Sequence, residues 1–483
     1  MNPRPLKTRF APSPTGLLHL GNVRTALFSY LAARSAAGAF LLRIEDTDAM
    51  RDQEKYAGAL MQDLRWMELA WDEGPEQGGP HAPYAQSQRG AIYREYFERL
   101  QAVALAYPCF CTEHELKIER STQLASGRPP RYSGKCRGLT PTQVEERRAR
   151  GLAATLRFHV ADGRAVEFVD RVRGPQRFAT SDIGDFVIRR SDGTPAFFFC
   201  NAVDDALMEV TLAVRGDDHL TNTPRQILIL EALGLAPPDY AHIPLVVGAD
   251  GAPLSKRTGS RSVQELRTEG FLALAVSNYL ARVGHTYEEN QLLPFEQLAT
   301  RFAVERIHHS PARYDEAQLL HWQRESVRSL PAAVLVEWIG EDARALVPPA
   351  EREAFVDAVR GNVTFPADAS HWARVVYDDA LALTRAAREA VDAAGREFFE
   401  HALPLLPAHR TDFRALSDAL KQKTGVSGKN LFKPLRAALT GELDGPEMAR
   451  LLPLIGVERA RHRFERAIQR PAEHGHPRAS GDP

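Results

Sequence analysis

Cysteine is scarce in this chain, with 4 residues in 483. So few thiols in so long a polypeptide exclude a disulfide-stapled scaffold and fit a reducing compartment. An excess of charge of either sign is also missing, because 61 Lys and Arg oppose 62 Asp and Glu. No global field advertises a nucleic-acid or membrane partner, so any polyanion-binding surface must be a local patch. Apolar runs of about 18 residues are absent, and the N-terminus carries no signal-type stretch. Both absences predict a cytoplasmic protein without a membrane span. The length exceeds what one core holds, and about two to four domains are expected.

The stretch that organises the rest runs from Arg9 to Tyr30, RFAPSPTGLLHLGNVRTALFSY. Lys7 to Ala11 reads as a strand. Pro12 and Pro14 each lack an N–H and forbid its continuation. Gly16 permits a tight turn. From Asn22 the apolar residues Val23, Ala26, Leu27, Tyr30 and Leu31 recur at helical spacing. A rigid loop thus delivers His19 and Gly21 to a helix N-terminus, where unpaired N–H groups favour an anion. His19 can donate to a phosphate oxygen, and Gly21 leaves room for a flat ring. Gly16-x4-Gly21 half fits a P-loop, but Asn22 and Val23 stand where Lys and Ser/Thr are required.

Ala39 to Ile44 reads as a second strand, parallel to the first, and strand–helix–strand opens an α/β sheet. Glu45 to Asp48 then reach the crevice at the strand's carboxyl end, where such sheets bind ligands. Thr47 or Asp48 could instead cap a helix from Gln53 to Met67. Arg9 lies near the same crevice, and a buried arginine there needs an anion, either a free carboxylate or Glu45. Gln86 to Ala106 is helical in period. Hairpins are expected for Thr155–Val160 with Ala165–Val169, turning at Asp162-Gly163, and for Phe186–Arg190 with Thr194–Cys200. Phe197 to Asp205 (FFFCNAVDD) reads as a buried strand. Val210–Arg215 and Ile243–Val247 read as further strands. Asn222–Leu233 reads as a helix capped by Thr221 and Gly234. Beyond Phe271 the strands stop and helical periods continue. Lys421 to Arg436 holds Lys421, Lys423, Lys429, Lys433 and Arg436 with no acid, a patch suited to phosphates. Cys109, Cys111 and Cys136 are either partway to a zinc site, with Glu113 and His114 as candidates for a fourth ligand, or three reduced structural thiols.

The first stretch resembles the opening signature of class I aminoacyl-tRNA synthetases, and its flanks resemble the glutamyl enzymes of bacterial type. RIEDTD, VDD, RGDDH and PLRAALTG support the likeness further along, as does the Pro253-Leu-Ser-Lys-Arg257 segment, similar to the second class I signature. The resemblance covers Lys7 to about Ile468. It implies a Rossmann-type parallel-sheet catalytic domain with a mixed α+β insertion, followed by an all-α anticodon-binding half. The expected divisions are 1–108 and 196–324 for the catalytic domain and 109–195 for the acceptor-binding insertion. Residues 325–470 form the anticodon half, and 471–483 a disordered tail.

The resemblance also implies a glutamate–tRNA ligase that binds ATP, Mg²⁺, L-glutamate and tRNA, acts as a monomer and holds Zn²⁺ in some members. The ATP site falls on Pro12, Ser13, Thr15, Gly16, His19, Gly21, Asn22, Asp218, His219, Leu254, Ser255, Lys256 and Arg257. His19, Gly21 and Lys256 take the catalytic roles. The glutamate pocket falls on Arg9, Ala11, Ser13, Glu45, Phe197, Asn201 and Arg215. Arg215 is the cation that favours the acid over its amide. The family usually has Tyr at the position of Phe197 and Lys at that of Pro253, so two polar contacts are missing here. Many glutamyl enzymes place Cys-x-His at the end of the zinc segment, where this chain has Gly138. Glutamyl-queuosine synthetases use Tyr-x3-Cys, which Tyr132 and Cys136 match. The alternatives are a catalytically silent tRNA-binding paralogue and another adenylyl-transferring enzyme.

Overall fold

A computed structural model describes residues 4–47, 53–127, 130–252, 254, 261–409 and 411–470. The chain divides into two units, Met1–Thr268 with Ala273–Leu319, and Glu269–Leu272 with Leu320–Pro483. Asp48, Pro253, Ser255, Lys256, Arg257 and the 471–483 tail lie outside the described residues.

In the first unit, β1 (Lys7–Phe10), helix α1 (Leu20–Ser35) and β2 (Ala39–Leu42) form the expected parallel crossover, with Lys7 opposite Ala39. The later strands are β3 (Ala106–Cys109), β4 (Thr155–Phe158), β5 (Ala165–Asp170), β6 (Gly174–Ala179), β7 (Phe186–Arg189), β8 (Leu212–Gly216), β9 (Asp239–Ile243), β10 (Val246–Val247) and β11 (Ala312–Arg313). The main sheet has six strands in the order β2-β1-β8-β9-β5-β6. All its neighbours are parallel except the β5–β6 hairpin at one edge. A separate antiparallel sheet has the order β3-β4-β7.

Several expectations are corrected here. Phe197 to Asp205 is not a strand but the start of a helix, Phe197–Leu207. A short apolar run rich in aromatics cannot be told from a buried helix by periodicity. Phe199 and Val203 are one turn apart and both buried, and Phe199 stacks on Phe97 with ring centroids 4.2 Å apart. The Asp162-Gly163 turn exists, with Gly163 at φ 77°, but β4 and β5 do not pair across it. They enter different sheets, because β6 and β9 flank β5. Thr194–Cys200 supplies one bridge, Arg189 to Pro195, before turning helical. Ile243–Val247 is divided at Pro244, which cannot donate to a ladder, into β9 and β10. The helix expected at Gln86–Ala106 ends at Ala102, and Ala106 opens β3. Past Phe271, β11 still pairs with β10. Thr221 lies in a 3-10 turn and does not cap the helix Thr223–Leu233, whose left-handed Gly234 ends it as expected.

The second unit is helical, with a core that includes Phe355, Phe399, Leu435, Leu451 and Phe464. Two of its helices are interrupted at left-handed glycines: Arg385–Ala402 at Gly395 (φ 77°) and Met448–Gln469 at Gly456 (φ 76°). A side chain at either position would be strained. Among the described residues no helix is long and apolar enough to cross a membrane.

Candidate active site

A cleft of about 350 Å³ opens at the carboxyl ends of β1, β8 and β9, against the first turn of α1. Open parallel sheets bind ligands at this end. Its walls include Arg9, Ala11, Pro12, Ser13, Gly21, Asn22, Glu45, Phe197, Asn201, Arg215, Asp218, His219 and Leu254. Residues drawn from five separate stretches of sequence are therefore brought together. Thr15, Gly16 and His19 do not line it.

His19 is the N-cap residue of α1, with extended backbone, and its carbonyl accepts from the Val23 N–H at 2.9 Å. It forms an antiparallel bridge with Ser262, and the Val263 N–H donates to the Leu18 carbonyl at 2.9 Å. Leu254 on the cleft wall and Ser262 beside His19 thus flank the segment 255–260, which lies outside the described residues. The first turn of α1 contains no acid, and a Cβ on Gly21 would meet nothing within 4 Å. Free N–H groups, a helix dipole and open space suit a phosphate there.

The other end of the cleft is built on buried charge. Arg9 does not pair with Glu45 but donates from Nε to both oxygens of Asp205, at 3.1 and 3.2 Å. Arg43 donates to Asp205 at 2.7 Å and to Glu45 at 3.0 Å. Asn201 donates to Glu45 at 2.6 Å and accepts from Gln226 at 2.8 Å. Behind them Asp204 accepts from Arg89, Gln86 and Tyr93 at 2.7, 2.9 and 2.8 Å. Burial raises the Glu45 carboxyl above its ordinary range, against the opposing pull of Arg43 and Asn201. Burial also opposes ionisation of Asp205, but Arg9 and Arg43 outweigh it and hold that carboxyl below its ordinary range.

Arg215 differs from its neighbours. It is 5% exposed, and its hydrogen-bond partners are neutral: His242 at 3.1 Å, Thr223 at 2.7 Å and Gln226 at 2.7 Å. Its Nη1 has no partner among the described residues. Burial pulls its pKa down to about 10. Phe197 sits against His219, rings 5.3 Å apart, and supplies apolar wall where a hydroxyl was in question.

Sequence reasoning missed Arg43, Gln86, Arg89, Tyr93, Gln226 and His242. Nothing in the spacing of RIEDTD and VDD shows that Arg43 meets Asp205. Arg24 was missed too. It reaches the cleft wall, yet its Nε and Nη1 donate to the Val283 and Pro244 carbonyls, so it braces the backbone.

The thiols of Cys109, Cys111 and Cys136 lie within 4.8 Å of one another. The Tyr132 hydroxyl is 3.4 Å from Cys109 and 3.6 Å from Cys111. Burial opposes ionisation of Cys109, but Tyr132 and Arg157 together hold its pKa at about 7. The three sulfurs match zinc's thiolate donors, and the phenol oxygen beside them, which also accepts the Cys136 N–H at 2.8 Å, would bring the count to four. Glu113 and His114 do not join the cluster.

In the second unit, Lys421 and Lys423 end one helix, Phe413–Thr424, and Lys429 and Lys433 begin the next, Lys429–Thr440. All four are exposed. Arg436 is half-buried, and its Nη1 donates to the Pro446 carbonyl at 3.0 Å, so it stands apart from the lysines. Phe432, 48% exposed, sits among them.

A crevice at the carboxyl ends of a parallel sheet, with a helix N-terminus and a buried guanidinium in its walls, is the ligand-binding arrangement of open α/β folds. Residues 5–321 match the family model for tRNA synthetases class I (E and Q), catalytic domain, and residues 318–468 match an anticodon binding domain. The chain belongs to the class I tRNA synthetases of this E and Q family. It is similar to glutamate–tRNA ligase 2 of Nitrosococcus oceani, 55% identical over 97% of this chain and 99% of that one. Glutamate–tRNA ligase 1 of Halorhodospira halophila is 54% identical over 98% and 99%. Among solved structures, a glutamate tRNA ligase from Elizabethkingia meningosepticum, crystallised with its amino acid, superposes with a TM-score of 0.86. The two are 27% identical over 96% of this chain and 99% of that one.

Proposed function

We propose that this chain is a glutamate–tRNA ligase. Glutamate attacks the α-phosphate of ATP to give glutamyl-adenylate and pyrophosphate, and the terminal adenosine hydroxyl of tRNA then takes the acyl group. The observation that carries the acid specificity is Arg215, a buried guanidinium at the cleft whose partners are all neutral. A side-chain carboxylate satisfies it, whereas an amide leaves the charge unpaired. Glu45, held by Arg43 and Asn201, receives the substrate ammonium, and Arg9 faces the α-carboxylate.

The N–H groups of Gly21 and Asn22 meet the phosphates, and Gly21 leaves space for the adenine ring. His19 and Lys256 neutralise charge as it moves to the leaving pyrophosphate. Mg²⁺ supplies further charge neutralisation when bound. Positioning and electrostatics suffice, so no side chain becomes covalently attached to substrate. Cys109, Cys111, Cys136 and Tyr132 would hold a structural zinc, and the residue 109–195 segment meets the acceptor end of the tRNA. Lys421, Lys423, Lys429 and Lys433 meet tRNA phosphates. The reading carries with it a monomeric, cytoplasmic protein, which sedimentation and fractionation check.

The test is glutamate-dependent ATP–pyrophosphate exchange with tRNA present. Wild type exchanges, and Lys256→Ala lowers the rate by about two to three orders of magnitude. Absence of exchange in wild type favours the silent paralogue. Exchange with an acid other than glutamate favours a different adenylyl-transferring enzyme. Charging of separated glutamate and glutamine tRNAs shows which tRNAs are accepted.

A further inference from the structure

We infer that His242 and Asp170 form a positioning pair that holds Arg215 charged yet unclaimed by any protein carboxylate, and so set the preference for a carboxylate side chain. The inference rests on the proposed role of Arg215. Asp170, at the end of β5, accepts the backbone N–H of Val172 at 2.9 Å and of Arg173 at 2.7 Å. Its other oxygen lies 2.6 Å from His242 Nδ1. His242 Nε2 faces Arg215 Nε at 3.1 Å and the Thr223 hydroxyl at 3.0 Å. All four side chains are buried, and Asp170, His242 and Thr223 almost completely so.

The tautomer follows from the donors. Arginine Nε–H can only donate, so the imidazole nitrogen facing it must accept. The proton therefore sits on Nδ1, where the Asp170 carboxylate receives it. Thr223 accepts from Arg215 Nη2 at 2.7 Å and can direct its own proton to His242 Nε2. Each contact of the imidazole is then matched donor to acceptor, with Asp170 ionised and His242 neutral, and Arg215 Nη1 is left without a partner among the described residues.

The consequence is electrostatic. Arg9 has its countercharge in direct contact, at 3.1 Å. Arg215 has Asp170 one imidazole away and unable to occupy the guanidinium, while Asp205 and Glu45 oppose the loss of its charge from a distance. Direct contact with Asp170 would place a protein carboxylate where the substrate's belongs. Protonating His242 would set N–H against N–H and turn the fork away.

Five titratable or charged groups face the imidazole: Asp170 from β5, Arg215 from β8, Arg9 from β1, Tyr240 from its own strand and His219 from the turn after β8. Burial lowers the His242 pKa below the ordinary 6.5, with Arg215 and Arg9 adding to the effect and Asp170 opposing it. The neutral form is therefore the working form at pH 7.

The experiment uses the full chain with tRNA. His242→Leu strips the acceptor, and Asp170→Asn presents an amide that reverses the tautomer. Each is expected to raise KM for glutamate about ten- to hundredfold, with KM for ATP within about twofold. His242→Gln, whose carbonyl oxygen can replace Nε2, should stay within about threefold. In wild type, kcat/KM for glutamate should fall as the pH drops below the ordinary histidine range, and His242→Gln should lose that acid limb. Unchanged glutamate KM in folded His242→Leu, or an acid limb that persists in His242→Gln, overturns the inference. Should His242→Leu not fold, the pH comparison decides. Failure of wild type to activate glutamate would instead sink the proposed function, and Arg215→Met separates the two. If that variant loses glutamate while the His242 and Asp170 variants do not, only the positioning role fails.

Discussion

Replacing Arg215 by Met should cripple glutamate activation while leaving the fold intact. Arg215 is buried, and the drop in its pKa from an ordinary 12.5 to about 10 measures how poorly the charge is solvated. At about 1.4 kcal/mol per unit, keeping it charged costs the substrate-free protein about 3 kcal/mol. Methionine of similar length removes that cost. Against it stand three hydrogen bonds to neutral partners, about 1 kcal/mol each. The effects offset, so the melting temperature should stay within about 4 °C of wild type. Binding behaves otherwise. A substrate carboxylate buried without its cation loses about 3–5 kcal/mol, or about two to four orders of magnitude in kcat/KM for glutamate. The assay is pyrophosphate exchange with tRNA, glutamate and ATP varied separately, beside a thermal melt. A drop in kcat/KM of less than about tenfold would refute the reasoning. So would a melt lowered by more than about 10 °C, since it would show a cation kept for the fold.

Asp204→Asn should behave in the opposite sense, because Asp204 receives Arg89, Gln86 and Tyr93 with no exposure. Its loss leaves buried cations uncompensated, and urea denaturation should show a destabilisation of about 3–5 kcal/mol. Stability unchanged by the substitution would mean that Arg89 finds another acceptor. Metal analysis of the purified chain should find about one zinc per molecule, and Cys136→Ser should lose it. A metal-free wild type would leave the three thiols as packing alone.

How much of this was legible in the sequence depended on the range of the interaction. β1, α1 and β2 follow from Pro12, Pro14, Gly16 and the spacing from Val23 to Leu31, all local signals, and the structure contains them nearly to the residue. The walls of the cleft were named from motif resemblance, and most of those residues meet there. What stayed hidden is pairing between distant segments. Arg9 was left a choice between a substrate and Glu45, yet it meets Asp205, 196 residues away. Asp205 could not be aimed while Phe197–Asp205 read as a strand, because a helix turns successive side chains by about 100° and a strand by about 180°. Asn201, Asp204 and Asp205 are all buried on that helix, alongside Phe199 and Val203. One misassigned period thus concealed the charge network as well as the element. The Asp162-Gly163 turn failed in a related way. Its chemistry fixed φ at Gly163 but could not say which strand lies beside β5.

Arg9 and Arg215 both line the cleft, and a sequence reader sees two equivalent cations at strand ends. The structure makes them unequal through their second partners. Arg9 already spends Nε on Asp205 and a further N–H on the Val214 carbonyl at 3.2 Å. It is anchored on a carboxylate that Arg43 also holds and can offer only what remains of its fork. Arg215 touches no carboxylate, because an imidazole stands between it and Asp170. Choosing an acid over its amide requires a site whose charge is unmet until substrate arrives. In the proposed function the discrimination therefore lies less in the presence of an arginine than in the neutral ring that withholds a counterion, and a change at β5 should alter it without touching the cleft.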